Sequence, residues 1–166
     1  SKVMDGKSQT AFVNAIIGCP NNVIRMSSDM EGLVETSTNL AVVTVKSGNA
    51  DALSLIRSSV DSAKYDLADM VDSVFALAGG ETLLEGDYPG WKPNPDSAIL
   101  KEMKEIYNNK FGKIPEIKAI HAGLECGLLG GVYPNFDMIS FGPTIRYPHS
   151  PDEKVNIKTV EMFWDF

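Results

Sequence analysis

Apolar positions recur at helical spacing over residues 11–17 and stop at Gly18-Cys19-Pro20, which predicts a short first helix. Residues 23–26 and then 32–46 turn to Val, Thr and Ile, with Leu33, Glu35 and Ser37 on one side and Val34, Thr36 and Thr38 on the other, the alternation of strands. Turn residues Ser47-Gly48-Asn49-Ala50 lead into renewed strand character over 53–59, so a hairpin is expected. Within 60–78, Leu67, Met70, Val71, Val74, Phe75 and Leu77 return every three or four residues, with Asp61 or Ser62 as cap and Gly79-Gly80 as stop. Residues 81–85 are expected to form a further strand. The first half thus reads as an antiparallel sheet with helices on one face, an α+β lobe whose sheet edge could pair with a second copy.

Pro89, Pro93 and Pro95 crowd residues 87–95 and separate two differently patterned halves, so a boundary is placed near Tyr88. Beyond it, Asp96 or Ser97 caps a helix carrying Ile99, Leu100, Met103, Ile106 and Tyr107, followed by a strand over 116–120, a glycine-bearing turn, a strand over 138–141 and a helix from about Ile157. That order matches part of an α/β layer, in which loops at strand ends carry chemistry. No repeat or low-complexity segment is visible.

The composition, 43% hydrophobic and 22% charged, is that of a globular chain. A net charge of -7 with scattered Lys and Arg gives no electrostatic footprint for nucleic acid. Cys19 and Cys126 form no CxxC pattern, and free thiols in a reducing cytoplasm are the simpler expectation. No apolar run approaches the roughly 20 residues of a membrane span, and no export signal is visible. The start Ser1-Lys2-Val3 and the apolar end Phe163-Trp164-Asp165-Phe166 read as the ends of a fragment.

Candidate chemistry centres on Pro148-His149-Ser150-Pro151-Asp152-Glu153, where the prolines restrict the backbone around one of only two histidines. A metal ligand is one use for such a fixed imidazole, but a catalytic zinc takes about three protein ligands, so partners must come from elsewhere. Asp152 and Glu153 are either acceptors that orient His149 or first-turn acids of the following helix, and the pattern favours the second. Residues 120–127, Ile-His-Ala-Gly-Leu-Glu-Cys-Gly, open a short helix and form a plausible carboxylate cradle; the residues alone favour a tight turn at Gly123 and a packed His121, with Glu125 serving the positive helix end. Arg57 is a lone cation in an apolar and hydroxyl-bearing strand, suited to a carboxylate yet equally an exposed polar-face residue. Tyr88, Trp91 and Trp164 read as packing residues. No nucleophile elbow or phosphate loop occurs.

Five blocks in order, Gly32-Leu33-Val34-Glu35-Thr36-Ser37-Thr38-Asn39-Leu40, Tyr88-Pro89-Gly90-Trp91-Lys92-Pro93, residues 120–127, Ser140-Phe141-Gly142-Pro143-Thr144-Ile145 and residues 148–153, resemble the aminoacyl-histidine dipeptidases. These Xaa-His or carnosinase-like enzymes belong to the co-catalytic zinc metallopeptidases that include glutamate carboxypeptidase. The likeness runs from about Ala11 to Phe166 and is to the family's C-terminal portion.

The resemblance implies a bilobal zinc exopeptidase: an α/β catalytic domain carrying two divalent metals, zinc by family, and an inserted antiparallel-sheet lid that mediates homodimerisation and closes over a dipeptide. Residues 1–88 would be the second half of the lid and residues 89–166 the last part of the catalytic domain. It implies that His149 is a metal ligand, that Arg57 binds the substrate's free carboxylate and that Gly123 lines the substrate loop, while His121 and Glu125 keep open roles. It also implies hydrolysis of Xaa-His dipeptides by a metal-activated water, with a glutamate as base. The family's H-x-D motif, paired glutamates and lid histidine are absent here, so no catalytic residue is assigned and the isolated chain is expected to be inactive. The contrasting reading is a non-enzymatic dimerisation or interaction module.

Overall fold

The computed structural model describes residues 3–92, 94–119 and 125–166. The chain divides into two compact units, Ser1–Pro93 with Ala119–Val132, and Asn94–Lys118 with Tyr133–Phe166.

In the first unit, α1 (Gly6–Gly18) precedes the strands β1 (Asn22–Met26), β2 (Val34–Lys46) and β3 (Asn49–Ser58), and α2 (Asp61–Leu77) follows them. The sheet is antiparallel in the order β1-β2-β3, which leaves β3 at an edge among the described residues. Thr36 faces Ser58 and Thr38 faces Ile56, and the Thr36 and Ser58 hydroxyls lie 2.9 Å apart. Thr36, Thr38 and Ser58 are buried, and so are Ala63, Leu67, Ala68 and Val71 of α2 with Ala15 and Cys19 at α1. The small residues let the helices approach closely and Leu67, 1% exposed, fills the centre. Between Leu40 and Val42 a register shift inserts Ala41, a β-bulge, and beyond it Val42, Val43, Val45 and Leu53 are exposed.

The helix, strand and hairpin expectations for residues 11–78 are met, α1 starting earlier, at Gly6, with one change at α2. Its N-cap is Val60, without a side-chain cap bond, and Asp61 uses its carboxylate elsewhere. After α2 the chain does not return as a strand at 81–85. A further helix, α4 (Glu125–Val132), belongs to this unit.

In the second unit, α3 (Ala98–Phe111) begins as expected at Ser97, whose Oγ accepts from the Leu100 N–H at 3.1 Å, while Asp137 Oδ2 accepts from the Ile99 N–H at 3.0 Å. β4 (Ile145–Arg146) and β5 (Lys154–Val155) form a two-stranded hairpin, and α5 (Ile157–Asp165) follows. Tyr107, Phe111, Phe141, Phe163 and Phe166 form a ring cluster with adjoining centroids 4.7–6.3 Å apart. Lys110 Nζ donates to the Asp165 carbonyl, tying α3 to the end of α5.

The expected strands at 116–119 and 138–141 are not formed, and Ile120 lies outside the described residues. A strand exists only through hydrogen bonds to a neighbour, and among the described residues neither segment has one. The chain presents 12404 Å² to solvent, whereas even two separate globules of these sizes would present roughly 10,000 Å².

Candidate functional site

His149 stands at the tip of the β4–β5 hairpin. The pairs Ile145↔Val155 and Arg146↔Lys154 close its base, and the Asn156 N–H bonds the Thr144 carbonyl at 2.9 Å. Inside the loop the Ser150 hydroxyl donates to the Tyr147 carbonyl at 2.8 Å, the Asp152 N–H donates to Ser150 Oγ at 3.2 Å, and the His149 N–H donates to Glu153 Oε2 at 2.6 Å. Tyr147 and His149 both hold positive φ, 55° and 62°, a region that non-glycine residues enter only when local bonds compensate. The result is an exposed imidazole on a backbone pinned at both ends. Glu153 is therefore not a first-turn acid. Asn156 caps α5, its Oδ1 accepting from the Lys158 N–H at 3.1 Å, and Glu153 instead bonds the backbone of the histidine.

Arg57 lies on β3 opposite Ser37, exposed on the face of the sheet that also carries Leu55. Its guanidinium enters no salt bridge among the described residues, so its donor fork is open to a carboxylate. Glu125 is the exposed first residue of α4, where a carboxylate complements the helix dipole. His121 and Gly123 lie outside the described residues. Arg57 belongs to the first unit and His149 to the second.

Among the described residues no three His, Cys, Asp or Glu side chains group as metal ligands. The donor set therefore does not by itself fit a zinc or two-metal centre, to which His149 brings a single donor.

A cluster that sequence reasoning missed surrounds Lys64. Its side chain is only 12% exposed, and its ammonium lies 3.1 Å from Asp61 Oδ1, 2.6 Å from Asp87 Oδ1 and 2.6 Å from the Tyr88 carbonyl. The Tyr65 hydroxyl donates to Asp87 Oδ2 at 2.6 Å, and the Gly90 N–H donates to Asp61 Oδ1 at 2.8 Å. Burial works against the Lys64 charge, but bonds to Asp87 and Asp61 outweigh it and raise its pKa. The bonds from Lys64 and then Tyr65 hold Asp87 below the ordinary carboxylate value. The only sequence signal was Asp61 near the start of a helix.

No family model matches the chain. Over 158 residues it is 47% identical to the cytosol non-specific dipeptidase of Escherichia coli (strain K12), a match that covers 95% of this chain and 33% of that protein. The crystal structure of aminoacylhistidine dipeptidase from Vibrio alginolyticus matches with a TM-score of 0.84 at 49% identity, covering 99% of this chain and 34% of that one. The chain is homologous to part of a dipeptidase. It spans about one third of the length of the dipeptidases it matches. The resemblance carried by the five sequence blocks is thereby borne out, as is the mixed helix-and-sheet fold, and the interaction-module reading is not favoured. No described helix is long and apolar enough to cross a membrane.

Proposed function

We propose that this chain is the C-terminal part of a metal-dependent dipeptidase that hydrolyses dipeptides of the Xaa-His type, β-alanyl-histidine among them. The observation that carries this reading is near-half identity across almost the whole chain to two proteins named as dipeptidases, joined to a TM-score of 0.84. Residues 1–88 supply half of the lid and residues 89–166 the last part of the catalytic domain. The whole protein works as a homodimer in the cytoplasm, with β3 at the open edge of the lid sheet.

Within that reading Arg57 receives the substrate's C-terminal carboxylate through two parallel hydrogen bonds. Gly123 contributes to the substrate loop. His149 offers its imidazole to one of two divalent metals, zinc by preference, and the other ligands and the general base belong to the part of the relatives that this chain does not span. The excess exposed surface supports this, since apolar positions such as Leu128, Phe136 and Trp164 need cover that the chain itself does not provide.

The test is to express the full reading frame that encodes this chain and measure release of histidine from β-alanyl-histidine with and without a chelator. Metal-dependent release is expected. A purified full-length product that is folded and metal-loaded yet leaves dipeptides intact would refute the reading.

A further inference from the structure

Residues 87–91 have the composition of a linker, yet they are strapped to the first unit on three sides. Lys64 and Tyr65 of α2 hold Asp87 and the Tyr88 carbonyl, and Asp61 holds the Gly90 N–H. On the second side, a Cβ added to Gly127 would fall 2.7 Å from the Pro89 carbonyl oxygen, and one added to Gly131 would fall 2.7 Å from Pro89 Cγ. The two glycines are four apart on one face of α4, so Pro89 is seated directly against that helix. On the third side, a Cβ at Gly90 would fall 2.7 Å from both the carbonyl carbon and oxygen of Ser59 and 3.1 Å from the Ser58 oxygen. The strap therefore presses on the chain where β3 ends, next to Arg57.

That end of β3 is otherwise held by the Ser59 N–H to the Glu35 carbonyl at 3.1 Å and by the buried Thr36–Ser58 hydroxyl pair. Arg57 itself has an exposed side chain, so its aim depends on where its backbone is fixed. A guanidinium that must meet a carboxylate along two bonds is sensitive to displacements of about 1 Å.

We propose that Lys64 is a positioning residue for substrate recognition: bridging Asp61 and Asp87, it clamps Gly90 against Ser59 and so sets the direction in which Arg57 meets the substrate carboxylate. This rests on the dipeptidase reading and adds to it a residue that touches no substrate.

The experiment is a double-mutant cycle in the full-length gene product, with Lys64→Met and Arg57→Ala singly and together. Each is assayed on a dipeptide and on the same dipeptide with its C-terminus amidated. Lys64→Met is expected to lower kcat/KM for the free acid by about tenfold, chiefly through KM, with metal content unchanged. The loss should disappear on the amide and in the Arg57→Ala background, and Lys64→Arg should restore part of it. Additive losses, equal losses on acid and amide, or unchanged KM in a folded variant would overturn the proposal. If Lys64→Met does not fold, Gly90→Ala carries the same cycle, because its Cβ forces the strap away from Ser59 while Lys64, Asp61 and Asp87 are all retained. A wild-type enzyme inactive on both substrates would instead sink the dipeptidase reading, and the two failures are thereby distinguishable.

Discussion

Glu153 Oε2 accepts the backbone N–H of His149 at 2.6 Å, and this bond closes a loop in which the histidine holds a φ of 62°. A charged acceptor four residues on thus compensates a backbone conformation that would otherwise cost about 1 kcal/mol or more. Glu153→Ala is expected to reduce protection of the His149 amide from hydrogen exchange by about fivefold, and Glu153→Gln, which keeps an acceptor, by less. Amide exchange measured by NMR decides this. Equal protection in the alanine variant would remove the bond from the account.

Arg57→Ala should leave folding unchanged because the side chain is exposed and enters no ion pair among the described residues. In the full-length enzyme it should lower kcat/KM for a free-acid dipeptide roughly a hundredfold, the scale of losing a bidentate charge-assisted pair. Steady-state kinetics with a thermal melt on the same sample separates the two effects.

Leu67→Ala should destabilise the first unit by about 2–5 kcal/mol, since Leu67 sits at the centre of the core between α2 and the sheet. Urea unfolding followed by circular dichroism reads this directly. A substitution at exposed Met70 on the same helix should cost far less.

The strap around Lys64 has a definite pH window. Asp87 is lowered from 3.8, so its contribution is present above that value and is lost as pH falls through the still lower folded pKa. Lys64 and Tyr65 are raised from 10.5 and 10.0, so theirs is complete below those values and is lost as pH rises through the folded ones. Trp91, beside Gly127, reports the strap, and Trp164→Phe removes the other indole. Emission should be flat between about pH 5 and 9 and change at both extremes. A transition near neutrality would contradict the ion-pair account.

The chain by itself should bind zinc no more tightly than about 1 µM, because His149 is joined by no two further donors among the described residues. Calorimetric titration with zinc measures this. Stoichiometric nanomolar binding would mean that a second set of ligands exists.

Local signals carried the elements whose causes are local. Ser97 capping α3, the turn between β2 and β3, and the apolar stripe of α2 all lie within a few residues of what they determine. The segments 116–119 and 138–141 carry strand composition yet form no strand, because strand formation requires partners that composition alone does not supply. Lys64 was invisible for a related reason: its acceptor Asp87 is distant in sequence, and on a helical wheel it reads as a surface lysine. For His149 the flanking prolines revealed a restricted backbone but not its left-handed sense, and they gave no hint that Glu153 serves the histidine rather than α5.

The first unit is discontinuous, with Ala119–Val132 returning to it after the excursion of Asn94–Lys118. Pro89 cannot find its seat on Gly127 and Gly131 until the polypeptide has emerged from the ribosome past those residues. Closing so long a loop is an entropic delay in folding, and during it Pro89 has no helix to seat against and the Gly127–Gly131 face stays uncovered. A homologue in which this excursion is lengthened should therefore refold more slowly and aggregate more readily, even if its final stability is the same.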